Sequence, residues 1–133
     1  MIKKVDAELK SYDPTRAGRL IDNFVNDDLS NTYVRQSRKR FWGKEMSDDK
    51  LSAYQTLHTC LLTVAKLLAP FAPFYSDQLY HDLGGDMTSV HLENFPQANE
   101  AFINTDLEER MEIARKITSM TLALRRKVNI KVR

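Results

Sequence analysis

A chain of 133 residues is long enough for one domain with a real core, without metals or disulfides to hold it. Hydrophobic residues at 42% and charged residues at 29% exclude a disordered chain, and four Gly with four Pro favour helices over a turn-rich β fold. A net charge of +2 excludes a uniform polycation, and the lone Cys60 excludes an internal disulfide or a cysteine-built zinc cage.

The start Met1-Ile2-Lys3-Lys4-Val5 has no signal-peptide apolar stretch. The longest apolar run, Leu67 to Phe74, is too short to span a bilayer and holds two prolines. With Cys60 taken as reduced, these features lead us to expect a soluble, cytoplasmic protein with no membrane partner.

Residues before Asp13 read as the tail of an earlier element. Asp13-Pro14 then opens the first clear helix, Asp as N-cap and Pro at a position whose missing N–H costs nothing. Ala17, Leu20, Ile21, Phe24, Val25 and Leu29 follow at three-to-four spacing and predict a buried stripe. The pattern runs weakly on through Tyr33 and Val34. Ser47 caps a second long helix with Asp48 and Asp49 in its first turn. Its predicted stripe is Leu51, Tyr54, Leu57, His58, Leu61, Leu62, Ala65 and Leu68, and Pro70 ends it.

Pro73 starts a third helix through Phe74, Leu79 and Tyr80, which Gly84-Gly85 stops. Residues 86–104 read as a connection in which Val90-His91-Leu92 alternates like a short extended piece. Thr105 with Glu108 forms a capping box. It opens a fourth helix with Leu107, Met111, Ala114, Ile117, Met120, Thr121 and Leu124 inward. Val128 to Arg133 alternates strictly, as a strand does. The expected architecture is therefore an all-α domain over 1–127, with 128–133 the start of a truncated further region.

No catalytic constellation is present: no Gly-rich phosphate loop, no metal-ligand spacing, no nucleophile elbow. His58 reads as a packed histidine and Cys60 as a small core residue. Asp27 and Asp28 point about 100° apart on a helix and read as a solvated face.

The basic segments differ from this background. Arg35, Arg38, Lys39 and Arg40 put four cations into six positions, with Lys44 close behind. They repel one another unless something neutralises them, and a phosphate backbone does so. On one continuous helix Arg35, Arg38 and Lys39 share a side. Phe41 and Trp42 follow, and cations beside large rings suit single-stranded RNA loops. Core packing is the better reading of the two aromatics taken alone, RNA contact the better reading of Arg38, Lys39 and Arg40. A second run, Arg125-Arg126-Lys127, complements a helix C-terminus and leaves room for a further phosphate contact with Lys131 and Arg133. A protein-docking helical module is the competing reading; a basic helix resting on a membrane is a third, and it lacks the apolar residues it needs.

The run Asp22 to Trp42, with Asn31, Tyr33, Arg35, Ser37, Arg38, Arg40, Phe41 and Trp42 in place, resembles the signature of the anticodon-binding domain in the isoleucyl-tRNA synthetase family. Leu68-Ala69-Pro70-Phe71-Ala72-Pro73-Phe74 and Ser89-Val90-His91-Leu92 with Pro96 are similar to runs shared with the valyl and leucyl relatives. Ala123-Leu124-Arg125 and Ile130 to Arg133 look like the isoleucyl pattern again. Thr32 stands where that family usually has Trp, and Gln36 where it usually has Arg. The resemblance implies the helical anticodon-binding bundle of class Ia aminoacyl-tRNA synthetases, with isoleucine tRNA and the catalytic and C-terminal domains of the same chain as partners, in a monomeric enzyme. It implies no catalysis and no cofactor here; ATP belongs to the full enzyme. Arg35, Arg38, Lys39, Arg40, Phe41, Trp42, Lys44, Arg125 and Arg126 are the expected tRNA-facing residues.

Overall fold

A computed structural model describes residues 1–131. Six α-helices, one π-helical segment and two single 3-10 turns make up its regular structure, with no strand among the described residues. The chain divides into two compact units, Met1–Ala98 and a second beginning at Asn99.

In the first unit, α1 (Ile2–Lys10) and α2 (Pro14–Asn23) form an antiparallel-type pair around a tight link at Tyr12, which sits at φ 59°. What reads in the sequence as the tail of an earlier element is thus a helix of its own. Asp13 caps α2 by accepting from the Arg16 N–H at 2.9 Å, and Pro14 occupies its first turn. Val5, Ala17 and Ile21 meet Val64 and Leu67 of the long central helix α4 (Asp48–Leu68) to make the main core.

Beyond Asn23 the helix widens. Phe24–Val34 is π-helical, and Thr32 Oγ1 donates to the Asp27 carbonyl five residues back. The apolar spacing explains the change. Phe24, Leu29 and Val34 recur every five residues, longer than the 3.6 of an α-helix. Leu29 is buried, as its place in the stripe predicts, and Asp28 is exposed.

On the opposite side of α4, Ala65 packs with Tyr80 of α5 (Pro73–Asp82) and with Val90. Helix α5 ends as the sequence indicates: Gly84 takes φ 72°, and the Gly85 N–H reaches the Tyr80 carbonyl at 3.0 Å. Residues Val90–Leu92 form a 3-10 turn rather than the extended piece that their alternation suggests. Asp77 decides this, since its carboxylate accepts from the Ser89 hydroxyl at 2.7 Å and the Val90 N–H at 2.9 Å, turning the chain there. Tyr80, fully buried, donates its hydroxyl to Glu93 at 2.5 Å and accepts the Met87 N–H, while Lys66 pairs with Glu93 at 3.0 Å.

Other inward assignments shift. Of the stripe expected on α4, Ala65 is buried while Leu51 and Tyr54 are exposed, and Ala53, Val64 and Leu67 are buried beside it. His58 is also exposed rather than packed; its Nε2 lies 2.8 Å from the Leu83 carbonyl at the end of α5. Cys60 is half-buried, and burial pushes its thiol pKa up, which keeps it protonated at neutral pH.

The second unit holds a 3-10 turn, Glu100–Phe102, and the long helix α6 (Thr105–Lys127). Asn104, not Thr105, caps α6: its side chain accepts the Leu107 N–H at 3.0 Å, and Thr105 is the first helical residue. Leu107, Met111, Ile117, Met120 and Leu124, expected inward, are exposed, because one helix with a short turn offers too little surface to cover a stripe. Val128 and Asn129 form a turn with Asn129 at φ 54°, so the alternation from Val128 to Lys131 makes no strand. Val132 and Arg133, the rest of that expected strand, lie outside the described residues.

Candidate nucleic-acid interface

The basic segment is not one continuous helix. The helical run from Pro14 ends at Gln36, Ser37 takes a turn conformation, and a short helix α3 (Arg38–Trp42) follows. Ser37 is buried and its carbonyl accepts from Arg40 and Phe41, which starts α3 in a new direction. The side shared by Arg35, Arg38 and Lys39 on a single helix therefore does not carry over unchanged. All three remain exposed, as does Lys44 beyond α3, and none of the four forms an ion pair among the described residues.

The two aromatics separate. Phe41 is 8% exposed and lies edge-on to Tyr33 and Tyr54, with ring centroids 6.2 Å and 5.1 Å away. Tyr33 is itself tied to the Ala53 carbonyl at 3.1 Å. Phe41 is the plug that seats α3 on α4, its ring packed against Tyr33 and Tyr54 rather than open to solvent. Trp42 is the reverse: 75% exposed, with the Arg38 guanidinium carbon 5.4 Å from its ring centre. Packing accounts for the first ring and not for the second.

Arg40 is held within the chain. Its Nε and Nη2 both reach the Asp49 carboxylate at 2.8 Å, and Nη2 also donates to the Asp49 carbonyl at 3.0 Å. The hydrogen bond to Asp49 is the main reason that the guanidinium is held yet more firmly protonated than usual. This donor fork faces an acid of the same chain, unlike the other cations of the basic segment. The position of Asp49 nine residues downstream gives no sequence signal for the pairing.

The candidate surface on the first unit thus reduces to Trp42 with Arg38 over its ring, and Arg35, Lys39 and Lys44 nearby in sequence. A cation held against an exposed indole, with further exposed cations close in sequence, supplies what an unpaired base next to a phosphate requires. In the second unit, Arg125 donates to the Lys131 carbonyl past the end of α6, a helix-terminus role, while Arg126 is exposed. Among the described residues no group of His, Cys, Asp or Glu side chains is placed to hold a metal ion. No described helix is long and apolar enough to cross a membrane.

Comparison with known proteins matches all of residues 1–133 to the family described as the anticodon-binding domain of tRNA ligase. The chain belongs to that family. It is 62% identical, along its whole length, to an isoleucine–tRNA ligase of Bacteroides thetaiotaomicron, and 60% identical to that of Bacteroides fragilis. A more distant isoleucine–tRNA ligase, from Dehalococcoides mccartyi, is 48% identical over the whole chain. The chain spans 12% of the length of the two Bacteroides proteins and 14% of the third. The all-α fold read from the sequence is the fold of this anticodon-binding family member.

Proposed function

We propose that this domain grips the anticodon arm of isoleucine tRNA through Trp42 with Arg38 over its ring, joined by the exposed cations Arg35, Lys39 and Lys44, as part of a longer isoleucine–tRNA ligase. The observation that carries the reading is the exposed Trp42 ring with the Arg38 guanidinium laid over it. A ring this size left in water costs hydration free energy that base stacking recovers, and the cations beside it draw in the phosphates of the same nucleotides. Arg126 is the candidate for a separate phosphate contact from the second unit.

In the longer protein, the ligation of isoleucine to tRNA with ATP belongs to segments outside this chain. The exposed apolar residues of α6 support packing of that helix against other domains of the same polypeptide. A cytoplasmic, monomeric enzyme follows from the same reading.

Titration with an RNA hairpin carrying an isoleucine anticodon tests the proposal. Affinity should fall steeply with salt, and Arg38→Gln should flatten the slope by about one unit. Binding that ignores salt, or that survives Arg38→Gln and Trp42→Ala together, overturns it.

A further inference from the structure

The short helix that presents Trp42 has little to hold itself together. Five residues make barely one turn and leave their last carbonyls without helical partners. The first two turns of α4 supply what is missing. Lys50 Nζ donates to the Gly43 carbonyl at 2.7 Å, the Tyr54 hydroxyl donates to the Phe41 carbonyl at 3.3 Å, and Asp49 takes the Arg40 guanidinium through both its carboxylate and its own carbonyl. Arg40 lies on α3 between Arg38 and Trp42, so fixing its side chain fixes the helix on which both ride. Asp49 is 66% exposed and lies outside the basic segment.

Resting on the tRNA-binding reading above, we propose that Asp49 and Arg40 are positioning residues: their pairing, with Lys50 and Tyr54, clasps α3 so that Trp42 and Arg38 are held in a binding-ready arrangement before RNA arrives. Arg40 then acts through α3 and makes no phosphate contact of its own. A surface ordered in advance loses less conformational freedom on binding.

Two features make this testable. Trp42 is the only tryptophan in the chain, so fluorescence excited beyond the tyrosine absorption band reports on the clasped element alone. A lost phosphate contact and a lost anchor also differ in salt dependence, since only the first changes the slope. Asp49→Ala should raise acrylamide quenching of Trp42 and lower its anisotropy, with far-ultraviolet circular dichroism unchanged. It should also weaken binding of the anticodon hairpin by about three- to tenfold. Arg40→Gln should do the same at unchanged salt slope, whereas Arg38→Gln lowers the slope. The swap of Arg40→Asp with Asp49→Arg should recover the wild-type quenching and most of the affinity.

Unchanged quenching in Asp49→Ala overturns the clasp, whatever the RNA does. A lowered salt slope in Arg40→Gln, or a swap that restores quenching and not affinity, shows Arg40 to be a direct contact and likewise overturns it. Loss of hairpin binding in none of the variants, Trp42→Ala included, sinks the tRNA reading instead, and the quenching measurement still decides the clasp.

Discussion

The hydroxyl of Tyr80 donates to the carboxylate of Glu93, thirteen positions further along the chain, at 2.5 Å. Lys66 reaches the same oxygen from α4, and the Met87 N–H caps the Tyr80 oxygen from the other side. One buried phenol thereby fastens the 83–93 connection to both α4 and α5. Neighbouring Asp77 fastens it again through Ser89 and Val90.

Stability should fall at acid pH through these two carboxylates. The Tyr80 hydroxyl bond, followed by the bond to Lys66, holds Glu93 below its ordinary 4.5, and the Ser89 bond, followed by the Val90 N–H, holds Asp77 below its ordinary 3.8. A group with a depressed folded-state pKa stabilises fully above its unfolded value and loses that contribution as pH falls through the folded one. Melting temperature should therefore be flat near neutrality and drop below about pH 5. Glu93→Gln and Asp77→Asn should each lower the neutral plateau and shrink the acid drop. Superimposable acid limbs in wild type and both variants would show that these bonds are not formed.

Gly85→Ala should destabilise the first unit by about 1–3 kcal/mol. A Cβ at this position would fall 2.1 Å from the Tyr80 ring, which is fully buried and tied at its hydroxyl, so neither partner can yield cheaply. Thermal or urea denaturation measures the loss. Gly84→Ala gives a separate comparison, because open space surrounds its Cβ and the cost there comes only from φ 72°.

Phe41→Ala and Trp42→Ala should have opposite profiles. Removing the Phe41 ring from between Tyr33 and Tyr54 should cost about 3–5 kcal/mol of folding stability. Removing the exposed Trp42 ring should leave stability within about 0.5 kcal/mol and take about 1–3 kcal/mol from RNA binding. Equal melting temperatures for the two variants would contradict the assignment of Phe41 to the core.

Leu29→Ala should cost about 2–4 kcal/mol, because this side chain is buried at 5% exposure. Ser30→Ala, one residue on and exposed, should change stability by less than about 0.5 kcal/mol. Couplings measured across the hydrogen bonds of 24–34 that join each N–H to the carbonyl four residues back, and not five, would argue against the wider turn.

The helices that begin on strong caps were legible from sequence. Asp13-Pro14, Ser47 and Pro73 open α2, α4 and α5 where expected, and Gly84 closes α5, because each signal acts within a few residues of itself. Misreadings arose where a distant group decided the outcome. Val90-His91-Leu92 alternates, yet Asp77 bends it into a turn. Arg40 looks like its neighbours until Asp49 claims it. Phe41 and Trp42 are adjacent and similar in chemistry; only the position of Tyr33 and Tyr54 separates a plug from an open ring. On α6 the periodic stripe is present in the sequence, and the second unit lacks a surface to bury it.

The π-helical segment has a geometric consequence for everything that follows it. Each residue added to or removed from a helix turns the downstream chain by about 100° about the axis. Phe24–Val34 therefore acts as an angular spacer, and its extra width sets the azimuth at which Ser37 launches α3. Deleting one residue from this stretch would turn the indole of Trp42 away from its present bearing and disturb the packing of Leu29 and Tyr33.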